Sequence, residues 1–236
     1  MPMQPPFSHV GFLHFGTRGK GETVAECEWG ISVLRRKLQE YERQHRAWRP
    51  TTSLLVLPEG FNVRDYNRDK VFDCHTMDEL TQLSLCSQLA FVVALIEGSG
   101  ARARSRAYLI DGEVRVSLGT KGSRDSSMLY ELSPSFTPTI HRELQVASLI
   151  CLDATDAKDS SVQSFDLCSC RPRVLCVPAS SRQCTVSEQY RGKYEVVVFA
   201  NSDGTIASSI TTQKEGVVPK ENTPGDDFIQ FASINT

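Results

Sequence analysis

Several stretches of this chain are near-continuous apolar runs of strand length: SLLVL (53–57), FVVALIEG (91–98), LQVASLICLD (144–153), RVLCVPAS (173–180) and YEVVVFANSDG (194–204). A strand with one face in water alternates apolar and polar residues, so a strand that is apolar at nearly every position must be covered on both faces. HVGFLHFG (9–16) is a further short strand of β-forming residues. Between Thr23 and Arg46 the period changes. Val24, Cys27, Ile31, Leu34, Leu38 and Tyr41 recur at three- and four-residue steps with charges between them, which predicts an amphipathic helix that Thr23 could cap. TMDELTQLSLCSQLA (76–90) reads as a second helix, and SRAYLIDGEVRVSLG (105–119) as a hairpin turning at Asp111–Gly112. Helices alternate with strands early and strands dominate later, the pattern of an α/β protein with mixed sheets. TTQKEGVVPKENTPGDDF (211–228) is rich in Pro, Gly, Lys and acids and reads as loop. Residues 211–236 are therefore expected to form a C-terminal tail or extension.

Charge and hydropathy narrow the function classes. A net charge of −2 over 236 residues gives no electrostatic footprint for nucleic acid. The one basic run, ARARSRAY (101–108), sets Arg102, Arg104 and Arg106 on one face of a strand, where a solvated edge is the simplest reading and an anionic substrate or partner the alternative. No apolar run reaches the roughly 18–20 residues that span a bilayer, and the N-terminal stretch lacks the basic start and apolar core of a signal peptide. The expectation is a cytoplasmic protein with no membrane partner, its eight cysteines mostly free thiols.

Three strands end in a chemically able residue: SLLVL in Pro58–Glu59, VRVSLGT in Lys121 and VASLI in Cys151. Ligands of open α/β sheets sit beyond the carboxyl ends of the strands, so a carboxylate, an amine and a thiol so placed can meet without being close in sequence. A thiol with an ordinary pKa near 8.5 is only slightly ionised at neutral pH, and a neighbouring carboxylate can take its proton. An ammonium then offsets the carboxylate and stabilises negative charge on a carbonyl-derived oxygen, with the N–H of Leu152 as a second donor. The reaction class is acyl transfer through a thioester. Taken singly, each residue has a plainer reading: a cysteine in an apolar run packs as a small core residue, and Glu59 and Lys121 could be simply solvated.

Together, over residues 8–210, these segments resemble the nitrilase, or carbon–nitrogen hydrolase, superfamily, which implies one domain across that range. LLVLPEGFN (54–62) is similar to that family's glutamate motif, YLIDGEVRVSLGTKGSR (108–124) to its lysine region, and VASLICLDATD (146–156) to its nucleophile motif, with VLCVPASS (174–181) and VVVFANSDG (196–204) following in the family's order. The resemblance implies a four-layer αββα sandwich of two mixed β-sheets flanked by helices, paired as a homodimer. It implies hydrolysis of a non-peptide C–N bond in a small-molecule amide or carbamoyl substrate, with no metal and no cofactor. Glu59 would be the base, Lys121 the oxyanion stabiliser and Cys151 the nucleophile. Glu131 would be the second glutamate that positions substrate; Glu143 is less well placed. Phe61, Asn62, Leu152, Ala154 and Thr155, which adjoin the two most specific motifs, are candidates to line the pocket. The sequence departs from the family at Leu152, where an aromatic is usual, and at Leu-Gly-Thr-Lys in the lysine segment. A catalytically silent interaction protein on the same fold, or a nitrilase or acyltransferase-type member, are the alternatives.

Other motifs carry less. Cys168, Cys170, Cys176 and Cys184 could supply four thiolates to zinc, but they lack the paired Cys-x-x-Cys knuckles of such sites. GTRGKGET (16–23) has glycines and a lysine before a helix, yet not the Gly-Lys-Ser/Thr that a phosphate loop requires. His141 stands ten residues before Cys151, about 30 Å along an extended strand, and nothing places His9 near the thiol.

Overall fold

The computed structural model describes residues 7–15, 30–48, 53–63, 74–98, 104–121, 146–155, 173–180, 186, 190, 194–202, 206–214, 216–218 and 226–234. The expected strands form two mixed sheets. The first contains β1 (His9–His14), β2 (Ser53–Glu59), β3 (Ala90–Glu97), β4 (Arg104–Asp111), β5 (Val114–Thr120) and a last strand, β11 (Phe228–Ser233), in the order β11-β1-β2-β3-β4-β5. The second contains β6 (Val146–Ser148), β7 (Val174–Ala179), β8 (Val196–Asn201), β9 (Ser209–Thr212) and β10 (Gly216–Val217), in the order β10-β9-β8-β7-β6. In each sheet three neighbouring strands run parallel and the others are antiparallel.

The apolar runs are buried on both faces for two different reasons. In the first sheet, Val10, Phe12, Leu54, Val56, Val92, Ala94, Ala107 and Leu109 face the second sheet and share a core with Leu175, Val177 and Val198. The alternate residues Leu13, Leu55, Leu57, Phe91, Val93 and Ile110 face outward and pack with helices α1 (Gly30–Gln44) and α2 (Thr76–Ser87). Each α1 residue among Ile31, Leu34 and Leu38 turns to that face, as the three- and four-residue spacing requires. Burying such a side chain stabilises the layer by about 1.5–3 kcal/mol. The predicted helical residues 23–29 lie outside the described residues.

Two expectations need correction. The hairpin turns on Gly112–Glu113, one residue later than the Asp111–Gly112 reading, because Asp111 pairs with Val114. Gly112 holds φ +59°, and a glycine at the first of two loop residues suits the mirror-image turns that match strand twist. Residues 211–236 are also more than a tail. Phe228–Ser233 pairs antiparallel with His9–His14 over six residues, and Phe228 packs edge-on to Phe12. Pairing in this way covers the outer edge of β1 and makes β11 the edge strand of the sheet.

A polar tie joins the sheets. His14 Nδ1 lies 3.0 Å from Ser208 Oγ, which accepts the Asn201 N–H at 2.9 Å. His14 is on β1, whereas Asn201 ends β8 and Ser208 precedes β9. Among the described residues no helix is long and apolar enough to cross a membrane.

Candidate active site

β2, β3 and β5 run in one direction, so Glu59 and Lys121 leave the first sheet at the same edge. Strand parity alone would send both to the wrong face. Leu55 and Leu57 point to the helices, so strict alternation puts Glu59 there too. A bulge intervenes: Val56 pairs with Val92, but Glu59 pairs with Ala94, one residue out of step. That shift turns the carboxylate toward the second sheet, because a one-residue slip exchanges the faces of a strand. Pro58 sits inside this bulge, where a central strand tolerates a residue with no N–H to donate.

Lys121 is steered in the same way. Tyr108 pairs with Ser117, but Ala107 pairs with Gly119, leaving Leu118 as the extra residue. Gly119 has φ +145°, a conformation that residues with a Cβ rarely adopt. The N–H of Lys121 then bonds the carbonyl of Ser105 at 2.9 Å, and its side chain emerges between the sheets. There Nζ donates to Glu59 Oε1 at 3.0 Å and to Oε2 at 3.1 Å. The pair is dry, with the Lys121 side chain 4% and Glu59 0% exposed. Burial opposes the ammonium's charge, but Glu59 first, then Cys151 and Asp153, hold it protonated above the ordinary lysine range.

Cys151 comes from the second sheet. After β6 the chain makes a short 3-10 turn, Cys151–Ala154, closed by Asp153 N–H to Ile150 O at 3.1 Å. Cys151 is buried and holds φ +51°, the left-handed region that costs a non-glycine residue about 1–3 kcal/mol and that recurs where a nucleophile is presented on a sharp turn. The Leu152 N–H is in the first turn, where no intrahelical acceptor exists.

Glu59 and Lys121 thus meet, with Cys151 within electrostatic reach of the lysine, but the neighbouring candidates divide. Asn62 is a clamp: its Nδ2 donates to Ile96 O at 2.8 Å and its Oδ1 accepts Ile96 N–H at 2.9 Å, holding the β2 bulge to β3. Phe61 packs in the helix-side core and stacks on Phe15 at 6.2 Å, away from the face between the sheets. Ala154 is buried in the core shared by the sheets, and Thr155 closes the turn by donating its hydroxyl to Leu152 O at 2.8 Å. Glu131, Glu143, His141, Arg102, Cys168, Cys170, Cys184 and the 16–23 loop lie outside the described residues. Cys176 is buried on β7, where burial pushes its thiol pKa up. His9 starts β1 and bonds Ser8 at 2.9 Å, at the opposite edge from Glu59. Arg106 pairs with Glu97 at 3.6 Å on β4, which lies between β3 and β5 and so is not the strand edge that the basic run suggested. Asp153 was legible only as the acid of the nucleophile motif; the structure buries it beside Lys121.

No protein-family model and no curated protein matches this sequence. Solved structures do match its shape. An amidase from Nesterenkonia sp. AN1, a double mutant in complex with acrylamide, superposes with a TM-score of 0.67 at 12% identity, over 100% of this chain and 93% of that one. A carbon–nitrogen hydrolase from Helicobacter pylori gives 0.63 at 14% identity, over 96% and 89%. A CN-hydrolase superfamily protein from Xanthomonas campestris gives 0.61 at 11%, over 96% and 90%. The fold is the αββα sandwich of the nitrilase superfamily. At these identities the likeness is one of architecture.

Proposed function

We propose that the chain is a carbon–nitrogen hydrolase that cleaves a small-molecule amide through a thioester on Cys151. Glu59 takes the thiol proton; both of its oxygens receive Lys121, but a carboxylate has about four acceptor positions and can still accept another proton. The thiolate attacks the amide carbon. Lys121 spends two of its three N–H donors on Glu59, which leaves one for the developing oxyanion beside the Leu152 N–H. The amine leaves with the proton held by Glu59. Glu59 then deprotonates a water that attacks the thioester, the C–S bond breaks, and the acid departs as Glu59 returns the proton to Cys151.

The observation that carries this reading is the dry Glu59–Lys121 pair, turned by two bulges onto the face where a backbone-strained cysteine stands. A buried ion pair is weak evidence for stability, since desolvating each ion costs several kcal/mol. Its retention here is better explained by chemistry. The fold neighbours named amidase support the choice, and one of them shows acrylamide joined to its active-site cysteine.

The test needs no substrate. Native protein is alkylated with iodoacetamide from pH 5 to 9 and each cysteine is followed by peptide mass spectrometry. Cys151 is expected to react far faster than buried Cys176, and Glu59→Gln to change its profile. A Cys151 as inert as Cys176 sinks the proposal. With an amide substrate in hand, Cys151→Ala and Glu59→Gln abolish turnover while circular dichroism shows the fold retained.

A further inference from the structure

Across the β4–β5 hairpin, Arg106 pairs with Thr120, and the next rung sets Ser105 opposite Lys121, with the Lys121 N–H on the Ser105 carbonyl. Directly opposed residues of an antiparallel pair share a face, with Cβ atoms about 4.5–5.5 Å apart. Ser105 also alternates with Ala107 and Leu109, both of which face the second sheet. Its hydroxyl therefore stands on the same floor as the lysine, between the sheets. Glu59 and Lys121 lie on strands separated by β3 and β4, so the lysine arm reaches across this floor to the carboxylate.

The Ser105 hydroxyl is 1% exposed, and its Oγ has no hydrogen-bond partner among the described residues. A buried hydroxyl left so costs about 1–3 kcal/mol, a cost that natural cores rarely carry without a reason. Alanine at this position would avoid it. A hydroxyl can both donate and accept, which suits the carbonyl oxygen or the N–H of a carboxamide equally.

We infer that Ser105 is a substrate-binding residue whose hydroxyl takes a polar atom of the carboxamide held beside Lys121. The inference rests on the amide-hydrolase reading and adds to it a second side-chain contact on the first sheet. It is distinct from the clamp made by Asn62 and from the charge pair.

The test compares two small alkylating agents on the full chain: iodoacetamide, which carries a carboxamide, and allyl bromide, which carries no hydrogen-bonding group. The readout is the ratio of their rates at Cys151, by peptide mass spectrometry. Ser105→Ala is expected to lower that ratio by about tenfold, the scale of one lost hydrogen bond, with a thermal midpoint equal to or above that of the parent. Ser105→Thr, which keeps the hydroxyl, holds the ratio. An unchanged ratio in Ser105→Ala overturns the inference and leaves the hydrolase reading standing. A lowered midpoint overturns it too, because it shows that the hydroxyl supports the fold. If Cys151 of the parent protein reacts with neither reagent, the hydrolase reading fails and this inference with it.

Discussion

At the scale of single residues, the site is built from groups that are costly to bury. Glu59→Gln leaves the Lys121 ammonium without its main counter-charge, so it is expected to lower the unfolding free energy by about 3 kcal/mol, read from urea midpoints, besides removing turnover. Asn62→Ala strips partners from both the N–H and the C=O of Ile96 and should cost about 2–3 kcal/mol on the same measurement. Its effect on Cys151 alkylation should follow from the loosened β2 bulge and not from lost substrate contact. What the sequence revealed at this scale was chemical identity. A glutamate, a lysine and a cysteine at the ends of apolar runs stand out because the run itself explains none of them. What it hid was company. Phe61, Asn62, Ala154 and Thr155 adjoin the trio along the chain, yet three of them are spent on packing or turn closure on the chain's own account and Phe61 faces the helices. Ser105 carries no such signal, because it belongs to the lysine's site only across a hairpin.

At the scale of elements, the bulges decide where side chains go. Gly119→Ala forces a Cβ into φ +145°, and we expect a loss of about 1–3 kcal/mol in urea unfolding together with slower alkylation of Cys151. Both bulges had a written signal: a glycine inside the β5 pattern and a proline inside the β2 pattern, either of which marks an irregular strand. Counting strand faces without them places both charges among the helices. The β3–β4 pair offers a separate check. Tyr108 donates to Glu97, and its phenol is pushed up to about 12, by burial first and then by that carboxylate. The folded value exceeds the ordinary 10.0, so the neutral phenol favours the folded state. That contribution is complete below pH 10 and is lost as pH rises toward 12. An alkaline absorbance titration should show one late phenol that Tyr108→Phe removes.

At the scale of the whole molecule, the trio is divided between two sheets: Glu59 and Lys121 from one, Cys151 from the other. The double-sided burial that requires such a sandwich was legible in the apolar runs. The last strand was not, because FIQFAS is short, follows a segment dense in turn-forming and charged residues, and finds its partner at the other end of the chain. Ending the chain at Asp226 removes that strand, uncovers the β1 edge and strips Phe228 from Phe12 and His14. The expected outcome is aggregation seen by size-exclusion chromatography. The bulges also give this molecule something like a reading frame. Deleting Leu118, the residue that the bulge leaves over, keeps Lys121 opposite Ser105 and in phase, whereas deleting Thr120 moves the lysine to the rung of Arg106 and onto the helix side. Two deletions only two residues apart should therefore differ: the first spares a reactive Cys151 and the second abolishes it, as a lost letter ruins a message only where it breaks the frame.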